Sequence, residues 1–437
     1  MAKDHGIDAY VITWNIDLPP SFAKAHHIPE RNVNTPLVRN YLRDCVKTLL
    51  DTYPDLTGCG TTQGEQMGVI PPSERASWIA DVYFRGIEAN GRRDVPFILR
   101  YWGGTPADTE KTAAMYHSGP IYLDIKYNGE HVYSLPEYHA RKSAWLNQRH
   151  VYKILWHLRS DDIYTLRWGN PEFVRGLMVN LDATHAAGFS YGSEVDIPGR
   201  DDYDTPSWDN IQASKYEFQK QWFLYALWGR LAYNPDVLDS LWRRYFRVHY
   251  GPAGDALYNS TVAAGRAAPL TTSFHWDYMN GDWSVEGSIG SWNTSSRQPR
   301  FNYRRMEMYQ DIRTYIFNNT IDNTLENIPA YAARLLTGRP RPTGVQTPLD
   351  VANALEWDGK AALRADKIQS PGGSVEDSFL RTQSDDEAYG YLALYYAAKI
   401  RAATDLALFL FSNKPSYKAA GIERLKAALS DWNKLLA

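Results

Sequence analysis

A chain of 437 residues, 44% hydrophobic and 22% charged, is long enough for two or three structural units with a large core, which excludes disorder as its dominant state. A formal net charge of -3, from 47 basic and 50 acidic residues, leaves no electrostatic footprint for nucleic acid or an anionic membrane. No apolar run reaches the roughly 20 residues that cross a bilayer, and MAKDHGIDAY lacks signal-peptide architecture, so the chain as it stands reads as soluble, its native compartment open, with the periplasm and the exterior among the options.

In chain order, short β-like runs ending in polar residues alternate with helical stretches up to about residue 200, the pattern of repeated βα units and a parallel sheet. Ala9 to Asn15 reads as the first strand and precedes the helix TPLVRNYLRDCVKTLLDTYP. Leu56 to Glu65 is the second strand, followed by the helix ERASWIADVYFRGIEANG. PFILRYWG, Ile121 to His131, YKILWHLR and GFSYGSEVD supply four more strands, with helices predicted in ADTEKTAAMYHSG and NPEFVRGLMVNLDAT. Of the two cysteines, Cys45 falls in a helical pattern and Cys59 in a strand pattern; both are expected to be buried free thiols.

Beyond about residue 210 the β-like runs stop, and Asp236 to Tyr250 carries Val237, Leu241, Tyr245 and Val248 on one helical face. The stretch from Ala264 to Arg300 fits no helix period and reads as an aromatic, glycine-containing loop. GRPRPTGVQTP is a connector, and Asp385 to Phe411 returns to helix with Leu392, Tyr396, Ile400, Ala403 and Ala407 aligned. The expected organisation is an α/β (β/α)8-type (TIM) barrel over residues 1–210, followed by an all-helical C-terminal region over 211–437 with the aromatic loop at 264–300. Six strands fall short of the eight a closed barrel needs, and KDHG resembles the end of a helix, so about two strands are expected upstream of Met1.

The 15 Trp and 30 Tyr, many among Asn, Asp, Gly and Ser, suit sugar recognition: rings stack on the apolar faces of sugars while polar neighbours bond the hydroxyls. Core packing accounts for any single ring equally well. Sites in parallel barrels form at the carboxyl ends of strands, and three of the six endings contain a glutamate: Glu65, Glu130 and Glu194. Glycosidic hydrolysis needs one carboxylic acid to protonate the departing oxygen and a second carboxylate to activate water or attack carbon, which makes these three the catalytic candidates. Trp14, Asn15, Arg100, Trp102, Lys126, Asn128, His131, Trp156, His157, Arg159 and Tyr191, at or beside the same endings, are the candidate substrate-binding residues. Lys126, Arg100, Arg159 and Arg167 could hold a sugar carboxylate, or form structural ion pairs with Asp124, Asp161 and Asp162. P-loop, dinucleotide and serine-hydrolase motifs are absent, and no cofactor or metal is expected.

At these residues the chain resembles the α-glucuronidase family of xylan-degrading glycoside hydrolases. GIDAYVITWN is similar to that family's first-strand segment, and LTGCGTTQGEQMG to the strand whose S-E-G motif carries its general acid, which implies that role for Glu65. PFILRYW, DIKYNGEH and FLYALWGRLAYNPD are similar to further family segments in the same order, over roughly residues 6 to 250. The chain departs from the family where Val132 stands at the base position, leaving Glu130 as substitute, and where Trp156-His157 stand at a Q-E-Y segment, making Glu194 a candidate. The resemblance implies removal of a terminal sugar, a uronic acid among the options, from an oligosaccharide or polysaccharide, and a dimer contact around the GRLAY segment. Two rivals remain: a non-catalytic saccharide-binding protein on a truncated barrel, and a metal-dependent barrel enzyme using His131, Glu130, Asp124 and His157.

Overall fold

The computed structural model describes residues 2–63, 67–101, 105–127, 135–136, 151–158, 166–182, 186–191, 217–274, 312–317, 320 and 324–436. The chain divides into two compact units: one comprises Met1–Tyr127, His139–Leu158 and Thr184–Tyr191, the other Asn128–Tyr138, Arg159–Ala183 and Gly192–Ala437.

The first unit is built on six strands: β1 (Tyr10–Thr13), β2 (Gly58–Gln63), β3 (Phe97–Tyr101), β4 (Ile121–Lys126), β5 (Lys153–Leu158) and β6 (Gly188–Tyr191). Each expected strand is present. The sheet is wholly parallel and its spatial order is the sequence order, β1 to β6. Every step to the next neighbour runs in the same direction, so right-handed crossovers put the connecting helices on one side of the sheet. The other side is left to curl inward, and the six strands form an open half-barrel. A closed barrel of eight is not present among the described residues.

Helices α1 (Pro20–Ala25), α2 (Pro36–Thr52), α3 (Pro72–Ile79), α4 (Arg85–Asn90) and α5 (Pro106–Ala113) belong to this unit. Their starts are written locally. Thr35 caps α2 by accepting a hydrogen bond from the Val38 N–H at 3.3 Å, with Pro36 at the first helical position. Thr105 and Asp108 form a capping box at α5. Between α3 and α4 the chain widens into one π-helical stretch, Ala80–Phe84, where the sequence predicts a continuous helix. Those residues bury Val82, Tyr83 and Phe84 against the sheet, with the Phe84 ring edge-on to Phe97 of β3 at 5.0 Å.

Alternation then fixes which strand residues face the helices. Phe97, Leu99, Leu123, Ile125, Trp156 and Leu158 lie on that side and are buried. Cys59 shares it, and burial pushes its thiol up to about 12, an inert core thiol. Cys45 is exposed, contrary to expectation, because it sits on the outward side of α2, whose buried stripe is Val38, Val46 and Leu50.

The second unit, as described, is helical. It contains α6 (Pro171–Asp182), α7 (Trp222–Tyr233), α8 (Asp239–Tyr250), α9 (Gly254–Ala264), α10 (Ala267–Phe274), α11 (Ile312–Phe317), α12 (Ile328–Leu336), α13 (Pro348–Ala362), α14 (Glu376–Ser412) and α15 (Pro415–Leu435). The spine is α14: 37 residues, about 55 Å at 1.5 Å per residue, packed against α13 and α15. Its aligned Leu392, Tyr396, Ile400, Ala403 and Ala407 are all buried, as their spacing predicts. Close approach to α13 is made possible by glycine, since a Cβ on Gly359 would lie 2.8 Å from the Gly390 carbonyl oxygen.

Two expectations are corrected here. In α8 the buried row is Trp242, Phe246 and Tyr250, one position round from Leu241, Tyr245 and Val248, because those rings pack on Phe223, Tyr258 and Phe379 of other helices. The expected loop from Ala264 begins instead with α10, whose Ala267, Ala268 and Phe274 are buried; 275–300 lie outside the described residues. No helix among the described residues is long and apolar enough to cross a membrane.

Candidate functional site

On the side of the sheet away from the helices the alternation gives a polar row. Thr62, Arg100 and Asp124 stand in register across β2, β3 and β4, and Lys126, His157 and Ser190 across β4, β5 and β6. All lie towards the carboxyl ends of their strands, where parallel barrels assemble their sites. Asp124 and Lys126 are nearly enclosed, at 5% and 9% exposure, so their charges are withdrawn from open solvent. Gly60 adds to the close fit, since a Cβ there would meet the Ile98 carbonyl oxygen at 2.2 Å.

The His157 Nδ1 lies 3.4 Å from an Asp124 carboxylate oxygen and 3.2 Å from the Ser190 hydroxyl. Acid and hydroxyl meet the same ring nitrogen. A serine relay needs them on opposite nitrogens, so these three residues orient the imidazole rather than build a nucleophile. Among the described residues no group of three or more His, Cys, Asp or Glu could hold a metal ion.

Trp14 follows β1 on the same side and is 47% exposed, with the Arg100 guanidinium 5.5 Å from its ring centroid. That stack immobilises an aromatic platform at the rim of the polar row. Its neighbour Asn15 turns the other way and is fully buried. The Asn15 side-chain oxygen accepts from Thr61 at 2.6 Å and from the Tyr83 hydroxyl at 2.9 Å, while its amide donates to the Thr62 carbonyl and to the Met67 sulfur. Burial raises the Tyr83 hydroxyl pKa and keeps it a donor. Asn15 therefore ties β1 to β2 and to the helical layer.

The residues singled out by sequence thus divide. Arg100, Lys126 and His157 share the polar row, and Trp14 stands beside it. Asn15 and Trp156 lie on the helix side; Trp156 is 1% exposed and edge-on to Tyr127 at 5.4 Å. Tyr191 pairs with Leu158 through its backbone. Arg167 belongs to the helical unit, where it bonds Asp385 at 2.8 Å, a structural pair in place of a sugar contact. Glu65, Glu130, Glu194, Trp102, Asn128, His131 and Arg159 lie outside the described residues. Sequence reading passed over Thr62 and Ser190 and treated Asp124 only as a salt-bridge partner or metal ligand. The signal was present in the period-2 spacing of Asp124 and Lys126 within β4, which puts both on one face.

Fold and face together define a class: an α/β protein with a singly wound parallel sheet whose concave side is polar at the strand carboxyl ends. Among solved structures the chain is similar, over 100% of its length, to a GH138 enzyme targeting pectin rhamnogalacturonan II, with a TM-score of 0.78 and 20% identity. The chain spans about half of that protein, 51% of its length. No family model and no curated protein matches the sequence.

Proposed function

We propose that the chain is a glycoside hydrolase of polysaccharide degradation, acting on a terminal sugar at the carboxyl ends of the six strands. The observation that carries this reading is the enclosed polar row of Arg100, Asp124, Lys126 and His157 on the concave side of a barrel-order sheet, with an exposed Trp14 at its rim. Likeness of fold to an enzyme that targets a pectic polysaccharide supports the same class of substrate.

The row also bears on the sugar. Arg100 and Lys126 are the cations of that face, and such groups make charge-assisted hydrogen bonds to a carboxylate. A uronic acid meets that charge, its ring lying on Trp14 and its carboxylate between the two cations. Asp124, through His157, keeps the imidazole oriented for a hydroxyl. Asn15 and Trp156 act from beneath, holding the strand ends in place.

The bond-breaking groups are the glutamates that follow β2, β4 and β6. Glu65 protonates the departing glycosidic oxygen, and Glu130 or Glu194 serves as the second carboxylate, on water or on the anomeric carbon. The chemistry requires no metal or redox cofactor. The test is product analysis with aryl uronosides, aryl neutral glycosides and pectin-derived oligosaccharides. Release of a uronic acid supports the reading. Tight binding of the same oligosaccharides without release would leave a saccharide-binding protein in its place.

A further inference from the structure

The helical unit holds a cavity of about 370 Å³, a size within the range of small-ligand sites. Its apolar wall includes Phe173 from α6 and Leu270 from α10, with Ala354 from α13. Its polar groups are an ion pair, Arg266 to Asp358 at 2.8 Å, and Glu172. None of these residues belongs to the polar row of the sheet.

Three observations set this pocket apart from an ordinary ion pair over a void. Asp358 is 6% exposed in the middle of α13, where an apolar residue would be expected from its position. Among the described residues its only hydrogen-bond partner is Arg266, which uses one of its five guanidinium donors there. Asn170, by contrast, is spent on structure: it caps α6 through the Phe173 N–H at 3.1 Å. Desolvation raises the Asp358 pKa, with Glu172 adding to the effect, so the carboxylate is held against a cost that a hydrogen-bonding ligand would relieve.

A guanidinium beside a carboxylate matches two adjacent hydroxyls on a ring. Each hydroxyl can donate to the carboxylate and accept from the guanidinium, while the ring's apolar face rests on the wall that includes Leu270 and Ala354. The charge balance selects among sugars: one cation against Asp358 and Glu172 repels a uronate and admits a neutral ring. We propose that this pocket is a second saccharide-binding site, specific for a neutral pyranose. The proposal rests on the pocket alone and is read by binding, so its failure and that of the hydrolase reading are distinguishable.

The experiment is ligand-observed NMR and calorimetry on the full chain with methyl glycosides of neutral pyranoses and the methyl glycoside of galacturonic acid. A neutral glycoside should bind, and Asp358→Asn and Arg266→Met should each weaken it by about tenfold or more. Ala354→Phe, which fills the cavity and removes no polar group, should abolish the binding while turnover of a small aryl glycoside is unchanged; it decides the matter should the polar variants not fold. Lys126→Met should leave neutral-sugar binding intact. The proposal is overturned if no neutral glycoside binds at millimolar concentration, if binding survives Ala354→Phe, if Lys126→Met removes it, or if the galacturonate competes for the same pocket on equal terms.

Discussion

In the sheet, charged residues are collected on one concave side, in register across neighbouring strands and close to the open carboxyl ends. In the helical unit, some charged residues sit deep between helices beside a local partner: Arg167 with Asp385, and Asp386 with the Thr261 hydroxyl at 3.0 Å. The first arrangement gathers polar groups from neighbouring strands on one side of the sheet. In the second, desolvation raises the pKa values of both Asp385 and Asp386. Burial of a charge alone therefore does not mark a site. What distinguishes the sheet is convergence of several polar residues on one face.

The comparison is tested most severely at Glu65. Glu65→Gln should lower kcat by roughly a thousandfold, the scale of a lost general acid, while the unfolding midpoint stays put. A variant that keeps near-normal turnover removes Glu65 from the mechanism.

Next in size is the helical unit's own pair. Arg167→Met strands the Asp385 carboxylate in a site where both partners are largely enclosed and should cost about 3 kcal/mol in denaturant unfolding, on the scale of a broken buried ion pair. A loss below about 0.5 kcal/mol would mean that the pair behaves as a surface contact.

Lys126→Met divides the two regions by function. It should reduce kcat/KM on a uronoside by about 10- to 100-fold, through lost charge-assisted bonding, and leave a neutral glycoside within a few-fold. Equal losses on both substrates would show that the lysine serves the fold or the chemistry rather than sugar selection.

Asp386 gives a smaller, pH-dependent effect. Burial raises its pKa well above the ordinary carboxylate value, so the folded state holds its proton more tightly than the unfolded chain does. That contribution to stability is complete below the unfolded pKa and is lost as pH rises towards the folded one. Asp386→Asn does not titrate, so its stability relative to the parent should climb with pH above about 4, by at most about 1.4 kcal/mol per pH unit inside that window. A constant difference between pH 4 and 8 would contradict the assignment.

Trp14→Ala is the mildest. Its ring is about half exposed and lies beneath Arg100, so the expected change is a several-fold rise in KM with kcat retained, the scale of one stacking contact of about 1 kcal/mol. No change in KM would remove Trp14 from the sugar platform.

Much of the sheet was legible because parallel strands buried on one side carry dense apolar runs between turn residues, and their sequence order predicted the singly wound topology. The strand-end rule brought out Arg100, Lys126, His157 and Trp14. It could not separate Asn15 from Trp14 or Trp156 from His157, since position at a strand end says nothing of which face a residue takes; register with a neighbouring strand decides that, and register is a tertiary property. The pattern of α8 misled for a related reason: Trp242, Phe246 and Tyr250 lie on one helical row and Leu241, Tyr245 and Val248 on the next, and which row is buried depends on the partner helices. The Arg266 and Asp358 pair was not readable at all, because 92 residues separate its members and helix packing alone joins them.

The most direct test of the central claim is a crystal structure of Glu65→Gln with an acidic pectic oligosaccharide. The account predicts a terminal uronate with its carboxylate within hydrogen-bonding distance of Lys126 or Arg100, its ring over Trp14, and residue 65 together with Glu130 or Glu194 flanking the scissile oxygen. A sugar bound away from the concave side of the sheet, or glutamates directed to different sides of the molecule, would contradict it.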